Sequence, residues 1–229
     1  MSLFTDLRSR GLIYQASPGI EDTDPKDITL YLGFDATGDS LHIGHYLGLS
    51  VIKRFADAGA RIIFLIGGGT TMIGDPGGKD AERPILPREI IEANKNAIRE
   101  QVSRFVTFDD DRVRMVDNAD WLMDVKLVDF LREAGKYMTI SSMLDKESVS
   151  SRMERDIGIS YAEFSYQLLQ AYDYAKLYEM YGATCKSGVP INGATLSQGV
   201  ELIRKRIGAH TYALSFPFNR KSTNGEKIW

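Results

Sequence analysis

The sequence predicts an α/β protein with a parallel sheet covered by helices and with an inserted helical subdomain. Two observations predict it. A strand, a helix and a second strand follow one another at 28–34, 41–60 and 61–66, which is the repeating unit of a parallel sheet. Strand and helix patterns then alternate until a polar, charged stretch at 135–159 interrupts them. That stretch has no strand signal, and we therefore expect it to belong to a helical insertion.

Each predicted element has a local signal. Segment 28–34 is apolar and rich in strand formers, and it stops at the turn-forming residues 35–39. In 41–60, apolar residues such as Val51 and Phe55 recur near helical spacing, and Gly59 is a stop signal. The other predicted elements are strands at 61–66, 112–116 and 211–216 and helices at 87–106, 126–133, 162–181 and 201–207.

Composition narrows the class of protein. The chain has 229 residues, 43% hydrophobic and 26% charged, which is typical of a globular enzyme with one large domain. A net charge of −3 provides no general attraction to nucleic acid, so RNA contacts would need local basic patches. The single cysteine, Cys185, excludes an internal disulfide and a zinc-binding cysteine pair, which favours the cytoplasm. No stretch approaches the roughly 18 apolar residues of a membrane span.

Two of the three histidines, His42 and His45, lie at the start of the first predicted helix, on either side of Ile43 and Gly44. A helix N-terminus offers unpaired N–H groups, imidazoles can donate to phosphate oxygens, and Gly44 leaves room for a base. This pattern indicates a nucleotide-phosphate site beyond the carboxyl end of a parallel strand. The alternative is a pair of capping or packing histidines.

A glycine-rich segment, 67–83, follows the second strand and opens on the same sheet edge. In it, Asp75 can bind an ammonium group, and Lys79 and Arg83 can neutralise phosphate charge in a transition state. The alternative is a solvated surface loop.

Three polar residues share one face of the predicted helix 162–181. Tyr166, Gln170 and Asp173 stand at positions i, i+4 and i+7, so their side chains can converge on one small ligand. The structural alternative has the tyrosine packed inward and the other two solvated.

Taken together, segments 31–45, 73–76 with Lys79 and Arg83, and 163–173 resemble the tyrosyl-tRNA synthetase family in order and spacing. The resemblance runs from about residue 4 to the end. It implies that 1–229 is a Rossmann-like class I catalytic domain, with an inserted dimer-interface subdomain at about 115–160. It also implies that the anticodon-binding and C-terminal RNA-binding domains are absent.

The resemblance implies a reaction in which L-tyrosine and ATP, accompanied by Mg²⁺, form tyrosyl-adenylate before tyrosine passes to tRNA(Tyr). No protein-bound metal is expected. The implied tyrosine-binding residues are Tyr31 and Asp173 for the phenol hydroxyl and Asp75, Tyr166 and Gln170 for the ammonium group. The implied catalytic residues are Thr37, His42, His45, Lys79, Arg83 and Lys227. The implied ATP-binding residues are Gly33, Asp35, Gly44 and Asn192.

The sequence departs from the family at two places. Where the family has Gly-Gly-Ser-Asp-Gln-Trp-Gly-Asn, residues 188–195 read Gly-Val-Pro-Ile-Asn-Gly-Ala-Thr. Ile191 cannot accept a hydrogen bond from a ribose through its side chain, and Asn192 is one methylene shorter than glutamine. The chain also ends inside the second signature loop, where Lys227 matches the first lysine of the family's Lys-Phe-Gly-Lys-Ser.

Three functions therefore remain in order of preference. The first is a cytoplasmic, homodimeric tyrosine-activating enzyme. The second is a truncated or altered-site homologue that binds tyrosine or RNA but is catalytically impaired, which the 188–195 segment favours. The third is a small nucleotidylyltransferase with the same histidine pair, but it leaves Tyr166, Gln170 and Asp173 unexplained.

Overall fold

The computed structural model describes residues 2–74, 86–145, 147–154, 158–188, 193–216, 220–221 and 227–228. The strands in these ranges are β1 (Gln15–Ala16), β2 (Thr29–Asp35), β3 (Arg61–Gly67), β4 (Val113–Asp117), β5 (Cys185–Gly188), β6 (Tyr212–Ser215), β7 (Arg220–Lys221) and β8 (Lys227–Ile228). The first six form one sheet in the order β1-β6-β5-β2-β3-β4, and β7 pairs with β8. Within the sheet, β1 runs antiparallel to β6 and the other neighbours are parallel.

Helices cover both faces of this sheet. In the described ranges they are α1 (Leu3–Ser9), α2 (Ile43–Asp57), α3 (Gly68–Thr71), α4 (Arg88–Val102), α5 (Ala119–Leu122), α6 (Leu127–Glu133), α7 (Ile140–Leu144), α8 (Glu147–Glu154), α9 (Tyr161–Tyr181) and α10 (Gly193–Ile207). Short 3₁₀ turns lie at Ile20–Asp22, Pro25–Asp27 and Gly135–Tyr137. None of the helices in these ranges combines the length and the apolar character that crossing a membrane requires.

The two faces of the sheet have separate cores, because successive side chains of a strand point to opposite sides. From β2, Leu30 and Leu32 pack into a core shared with α1, α2 and α4. Tyr31, between them, packs into a second core with α5, α9 and α10. Residues of β3 divide in the same way, with Phe64 in the first core and Ile63 in the second.

The predicted fold class is confirmed, and eight predicted elements lie within a few residues of their observed bounds. The predicted helix 201–207 was too short, since it is the second half of α10 (Gly193–Ile207). β5 was not predicted because it has only four residues, two of them Lys186 and Ser187. Its strand conformation depends on pairing with β2 on one side and β6 on the other.

Helices α5 to α8 occupy most of the interval in which an insertion was expected, although its first residues, 115–117, belong to β4. A dimer interface on the expected insertion would bury apolar residues such as Met138, Ile140 and Met143. Met138 and Met143 are instead already buried in the second core of the same chain, whereas Ile140 is 67% exposed. Only Ile140 of the three is accessible to a partner.

The close packing of α9 against α10 depends on a glycine. A Cβ atom built on Gly199 would lie 2.8 Å from Cδ1 of Tyr174, a fully buried ring in the second core. A contact that short forces the ring or the helix to move. Gly199 therefore sets the distance between α10 and the helix that bears Tyr166, Gln170 and Asp173.

We expect Gly199→Ala to lower the free energy of unfolding by about 1–3 kcal/mol, because overpacking a filled core costs this much. Urea denaturation measures it. Gly48→Ala is the matched control, because Gly48 is also inside a helix and its added Cβ would meet only the flexible end of Leu32, at 3.2 Å. Both substitutions replace glycine by alanine inside a helix and so raise helix propensity equally. Equal stability of the two variants would therefore contradict a clash with the Tyr174 ring.

Candidate active site

The carboxyl ends of four parallel strands meet at one edge of the sheet. β2 ends at Asp35, β3 at Gly67, β4 at Asp117 and β5 at Gly188. β2 lies between β3 and β5, so the strand order changes direction between β2 and β5. In open α/β sheets ligands bind at such a switch point, beyond the carboxyl ends of the strands.

His42 and His45 form a reciprocal capping box at the N-terminus of α2. The Gly44 N–H donates to His42 Nδ1 at 3.1 Å, and the His42 N–H donates to His45 Nδ1 at 3.2 Å. The two rings stack with their centroids 3.8 Å apart. Because both Nδ1 atoms accept, each neutral imidazole carries its proton on Nε2. The pair is thus a cap, as the alternative interpretation held, and the cap also orients two N–H donors.

His45 remains neutral at physiological pH. Burial, assisted by the neighbouring His42, lowers the pKa of His45 to about 4. A protonated Nδ1 would have to give up the hydrogen bond from the backbone of His42. The low pKa and the cap therefore support the same protonation state, in which Nε2 is a donor and the ring has no charge.

The start of the glycine-rich segment is a buried turn of helix, so a solvated surface loop is the wrong interpretation for 67–71. Thr70 Oγ1 donates to Asp35 Oδ1 at 2.9 Å, and Thr71 Oγ1 accepts from the Ala36 N–H at 2.8 Å. A Cβ on Gly67 would lie 2.4 Å from Asp35 Oδ1, which only glycine avoids. The remaining predicted residues of this segment, Asp75, Lys79 and Arg83, lie outside the described residues.

Helix α9 brings its predicted polar face to the end of β2. The Tyr166 hydroxyl donates to Asp35 Oδ2 at 2.7 Å, which joins a residue expected at tyrosine to one expected at ATP. Gln170 Oε1 and the Tyr31 hydroxyl are buried and have no hydrogen-bond partner among the described residues. Buried polar atoms are normally paired, so these two atoms mark a place where a polar ligand can bind.

Asp173 is the most strongly perturbed acid of this cluster. It is 3% exposed, and its carboxylate accepts N–H donors from Trp121 Nε1 and Asn118 Nδ2, each at 2.9 Å. Burial raises its pKa to about 7, and the donors Asn118 and Trp121 and the nearby charge of Lys186 oppose that rise. The site therefore holds a buried carboxylate that ionises close to neutral pH.

Sequence reasoning missed two residues that organise this site. Asn118 donates to Asp173, and its Oδ1 accepts the Gly69 N–H at 2.8 Å, so it connects α9 to the glycine turn. Trp121 provides the second N–H to Asp173. Asn118 follows the predicted strand 112–116 by two residues, and the rule that strand ends carry sites could have identified it. No sequence signal indicated Trp121.

The structure describes the remaining predicted site residues to different extents. Thr37 and Gly33 are exposed near the end of β2, and Gly44 is buried in the first turn of α2. Asn192 lies outside the described residues, and for Lys227 only the backbone, in β8, is described. Within the described ranges, no group of three or more His, Cys, Asp or Glu residues is placed to hold a metal ion.

Comparison with known proteins identifies the family. Residues 23–188 match the family described as tRNA synthetases class I (W and Y). The chain belongs to this family. The predicted resemblance to tyrosyl-tRNA synthetases is thereby confirmed at the level of the family.

Individual relatives agree with this assignment. The chain is 45% identical over 224 residues to the tyrosine–tRNA ligase of Roseiflexus castenholzii, an alignment that covers 96% of this chain and 53% of the relative. It is 41% identical to tyrosine–tRNA ligase 2 of Enterococcus faecalis, covering 100% of this chain and 57% of the relative. The chain thus spans about half the length of these curated relatives.

Among solved structures, the chain is similar to a C-terminally truncated mitochondrial tyrosyl-tRNA synthetase of Aspergillus nidulans. The TM-score is 0.84 at 25% sequence identity, and the match covers 99% of this chain and 71% of that one. The likeness therefore extends over the six-stranded sheet and its helices, including α5 to α8 between β4 and α9.

We expect the His45 ring to titrate with a midpoint near pH 4 in the folded protein. NMR of the imidazole Hε1 signal, assigned with a His45→Gln variant, measures this midpoint. In urea the midpoint should return toward the ordinary value of 6.5. Between these values the unfolded chain binds a proton that the folded chain does not, so His45 makes folding less favourable as pH falls through this window. A folded-state midpoint at or above 6.5 would contradict the buried neutral cap.

Proposed function

We propose that this chain is the catalytic domain of a cytoplasmic tyrosine–tRNA ligase, which activates L-tyrosine with ATP and transfers it to tRNA(Tyr). One observation carries the proposal. The Tyr31 hydroxyl and the Asp173 carboxylate lie in the same buried core, where they suit the phenol hydroxyl of L-tyrosine. The relatives named tyrosine–tRNA ligase favour this function over an altered-site homologue that is catalytically impaired.

The amino acid would lie between β2 and α9. Its phenol oxygen can donate to Asp173, which Asn118 and Trp121 hold in place, and can accept from the Tyr31 hydroxyl. Its ammonium group would meet Gln170 Oε1 and Tyr166, together with Asp75. L-phenylalanine would leave Asp173 and Tyr31 buried without a partner, which is costly. Tyrosyl-tRNA synthetase is itself the standard example of this kind of discrimination.

ATP would lie across the strand ends, along Gly33, Asp35, Thr37 and Gly44. The Nε2 donors of His42 and His45 suit phosphate oxygens or ribose there. The family resemblance assigns Asn192 to ATP as well. The tyrosine carboxylate would attack the α-phosphate in line, so the protein mainly positions the reactants and stabilises charge. Lys79, Arg83 and Lys227 would neutralise the departing pyrophosphate, and Mg²⁺ would arrive with ATP as part of the substrate.

Calorimetric titration with L-tyrosine and with L-phenylalanine tests the pocket, because binding needs neither ATP nor tRNA. We expect L-tyrosine to bind and L-phenylalanine to be rejected. Tyr31→Phe should weaken L-tyrosine about 3- to 10-fold, the value of one hydrogen bond. Tyr31→Phe should not lower the free energy of unfolding, because the Tyr31 hydroxyl has no hydrogen-bond partner among the described residues.

Tyr174→Phe is the matched control, since the Tyr174 hydroxyl donates to the Tyr212 carbonyl at 2.9 Å. It should lower the free energy of unfolding by about 1 kcal/mol and leave the preference for L-tyrosine unchanged.

Binding of neither amino acid to the wild type would reject the proposed pocket. Binding without tyrosine-dependent exchange of pyrophosphate into ATP would favour the catalytically impaired homologue.

We also propose a two-fold homodimer formed by the insertion. Exposed apolar side chains lie on α6 and on α7, and we propose that they form one α6–α7 apolar face, which consists of Leu127, Val128, Leu131, Ile140 and Leu144. A face of this kind indicates a protein interface, and a two-fold axis would bring it against its own copy.

Light scattering should give twice the chain mass for the wild type. Val128→Lys should shift the measured mass toward that of the monomer, because a dimer would bury the unpaired charge of the new lysine. Met180→Lys, at an exposed apolar position on α9, is the control and should remain dimeric. A monomer mass for the wild type at every concentration would reject the dimer.

A further inference from the structure

The loop that joins β2 to α2, residues 36–41, is held by side chains of other elements. Residues 37–40 are exposed, and in the part of the chain that the structure describes no backbone-to-backbone hydrogen bond involves residues 37–41. Residues proposed to meet ATP surround this β2–α2 loop, since Asp35 precedes it, Thr37 lies in it and His42 follows it. The backbone of such a loop keeps one conformation only if groups outside the loop bind it.

Helix α4 supplies those groups at both ends of the loop. Asn94 Nδ2 donates to the Ala36 carbonyl at 2.8 Å. Two helical turns later, Gln101 Nε2 donates to the Asp39 carbonyl at 2.7 Å, and Gln101 Oε1 accepts from the Leu41 N–H at 2.9 Å. Positions i and i+7 lie on one face of a helix, so a single face of α4 binds the loop.

The Gln101 amide is fixed in one orientation. Its Nε2 also donates to the Ala97 carbonyl at 3.0 Å, so the nitrogen faces two carbonyls and the oxygen faces an N–H. A reversed amide would place oxygen against both carbonyls and nitrogen against a donor. The Asp39 carbonyl and the Leu41 N–H are two residues apart, so Gln101 binds the loop as one residue of a parallel strand binds its neighbour.

We propose that Gln101 is a positioning residue for ATP, because it holds the β2–α2 loop in the conformation in which Thr37 and His42 can meet the nucleotide. The inference rests on the proposed function and adds to it a residue that the family resemblance did not assign. Gln101 acts through the loop backbone and need not touch ATP. Its bond to the Leu41 N–H lies directly before His42, the N-cap of α2.

A loop that is ordered before ATP arrives binds ATP more tightly than a loop that must be ordered on binding. When only a fraction of the molecules has the competent loop, the apparent dissociation constant rises by the inverse of that fraction. L-Tyrosine would lie between β2 and α9, whereas α4 packs on the opposite face of the sheet. The affinity for L-tyrosine should therefore not depend on Gln101.

The test compares the wild type with Gln101→Met, which keeps the side-chain length and a similar helix propensity but makes neither hydrogen bond to the loop. One calorimetric titration uses L-tyrosine. The other, at saturating L-tyrosine and Mg²⁺, uses an ATP analogue with a methylene group between the α and β phosphates, from which tyrosine cannot displace the β and γ phosphates.

We expect Gln101→Met to bind the analogue about 3- to 10-fold more weakly than the wild type, which corresponds to a loop that is competent in about a third to a tenth of the molecules. The affinity for L-tyrosine should be unchanged. A general loss of folded structure would weaken both ligands, so the difference between the two titrations identifies a positioning role.

Glu100→Met is the matched control. Glu100 is the neighbouring residue on α4, its side chain is 74% exposed, and it pairs with Arg104 at the surface. The control introduces the same methionine outside the loop contact, so both affinities should match those of the wild type. Gln101→Glu keeps the acceptor for the Leu41 N–H but places a carboxylate against the Asp39 carbonyl. It should also weaken the analogue, and the same comparison applies to it if Gln101→Met does not fold.

The outcomes separate the role of Gln101 from the proposed function. Wild-type protein that fails to bind L-tyrosine or the analogue contradicts the proposed function. Wild-type protein that binds both, with equal analogue affinity in folded Gln101→Met or with L-tyrosine weakened as much as the analogue, overturns the role of Gln101 and leaves the proposed function intact. An equal loss of analogue affinity in Glu100→Met also overturns that role, because the effect would then belong to α4 as a whole.

Discussion

The parallel pairing of β2 with β3 on one side and β5 on the other is the constraint from which the rest of the structure follows. The chain leaves β2 through α2 on one face of the sheet and returns to β5 through α9 on the other. The ends of β2, β3, β4 and β5 therefore meet at one edge, with helices arriving from both sides. Register then places Tyr31 beside Lys186, and Tyr31 packs into the core that contains the buried face of α9.

The buried polar groups of the candidate site lower the stability of the folded protein. Asp173 is buried, and its raised pKa means that the folded state holds its proton more tightly than the unfolded chain does. Between the ordinary value of 3.8 and about 7, this residue makes the folded state less stable as pH rises. Asn118 and Trp121 offset part of that cost, and a ligand that pairs with the site would offset more.

The histidine pair shows how a structural role and a binding role can belong to the same atoms. Nδ1 of each ring closes the capping box, and this contact fixes which ring nitrogen carries the proton. A simple cap needs only a short side chain such as serine or aspartate. Two stacked imidazoles in that position add two further N–H donors at the junction between β2 and α2.

Local patterns in the sequence determined most of the elements, because hydrophobic periodicity and turn residues act over a few neighbours. The histidine pair, the glycines after β3 and the spacing of Tyr166, Gln170 and Asp173 were likewise readable as candidates. β5 was not, since a four-residue strand containing Lys186 and Ser187 is a strand only through its two neighbours.

Only the tertiary structure decided which candidate site residues lie close together and what charge they carry. Asn118 and Trp121 lie 55 and 52 residues from Asp173 in the chain, and no local pattern links residues at that separation. Local patterns likewise do not predict the hydrogen bond between Tyr166 and Asp35 or the burial of Met138 and Met143 in the second core of the same chain. The pKa of Asp173 depends on burial by several elements at once, which the sequence around it does not encode. The sequence thus determined the types of side chain available for chemistry, and packing determined their environment, because burial and partners arise only when distant segments come together.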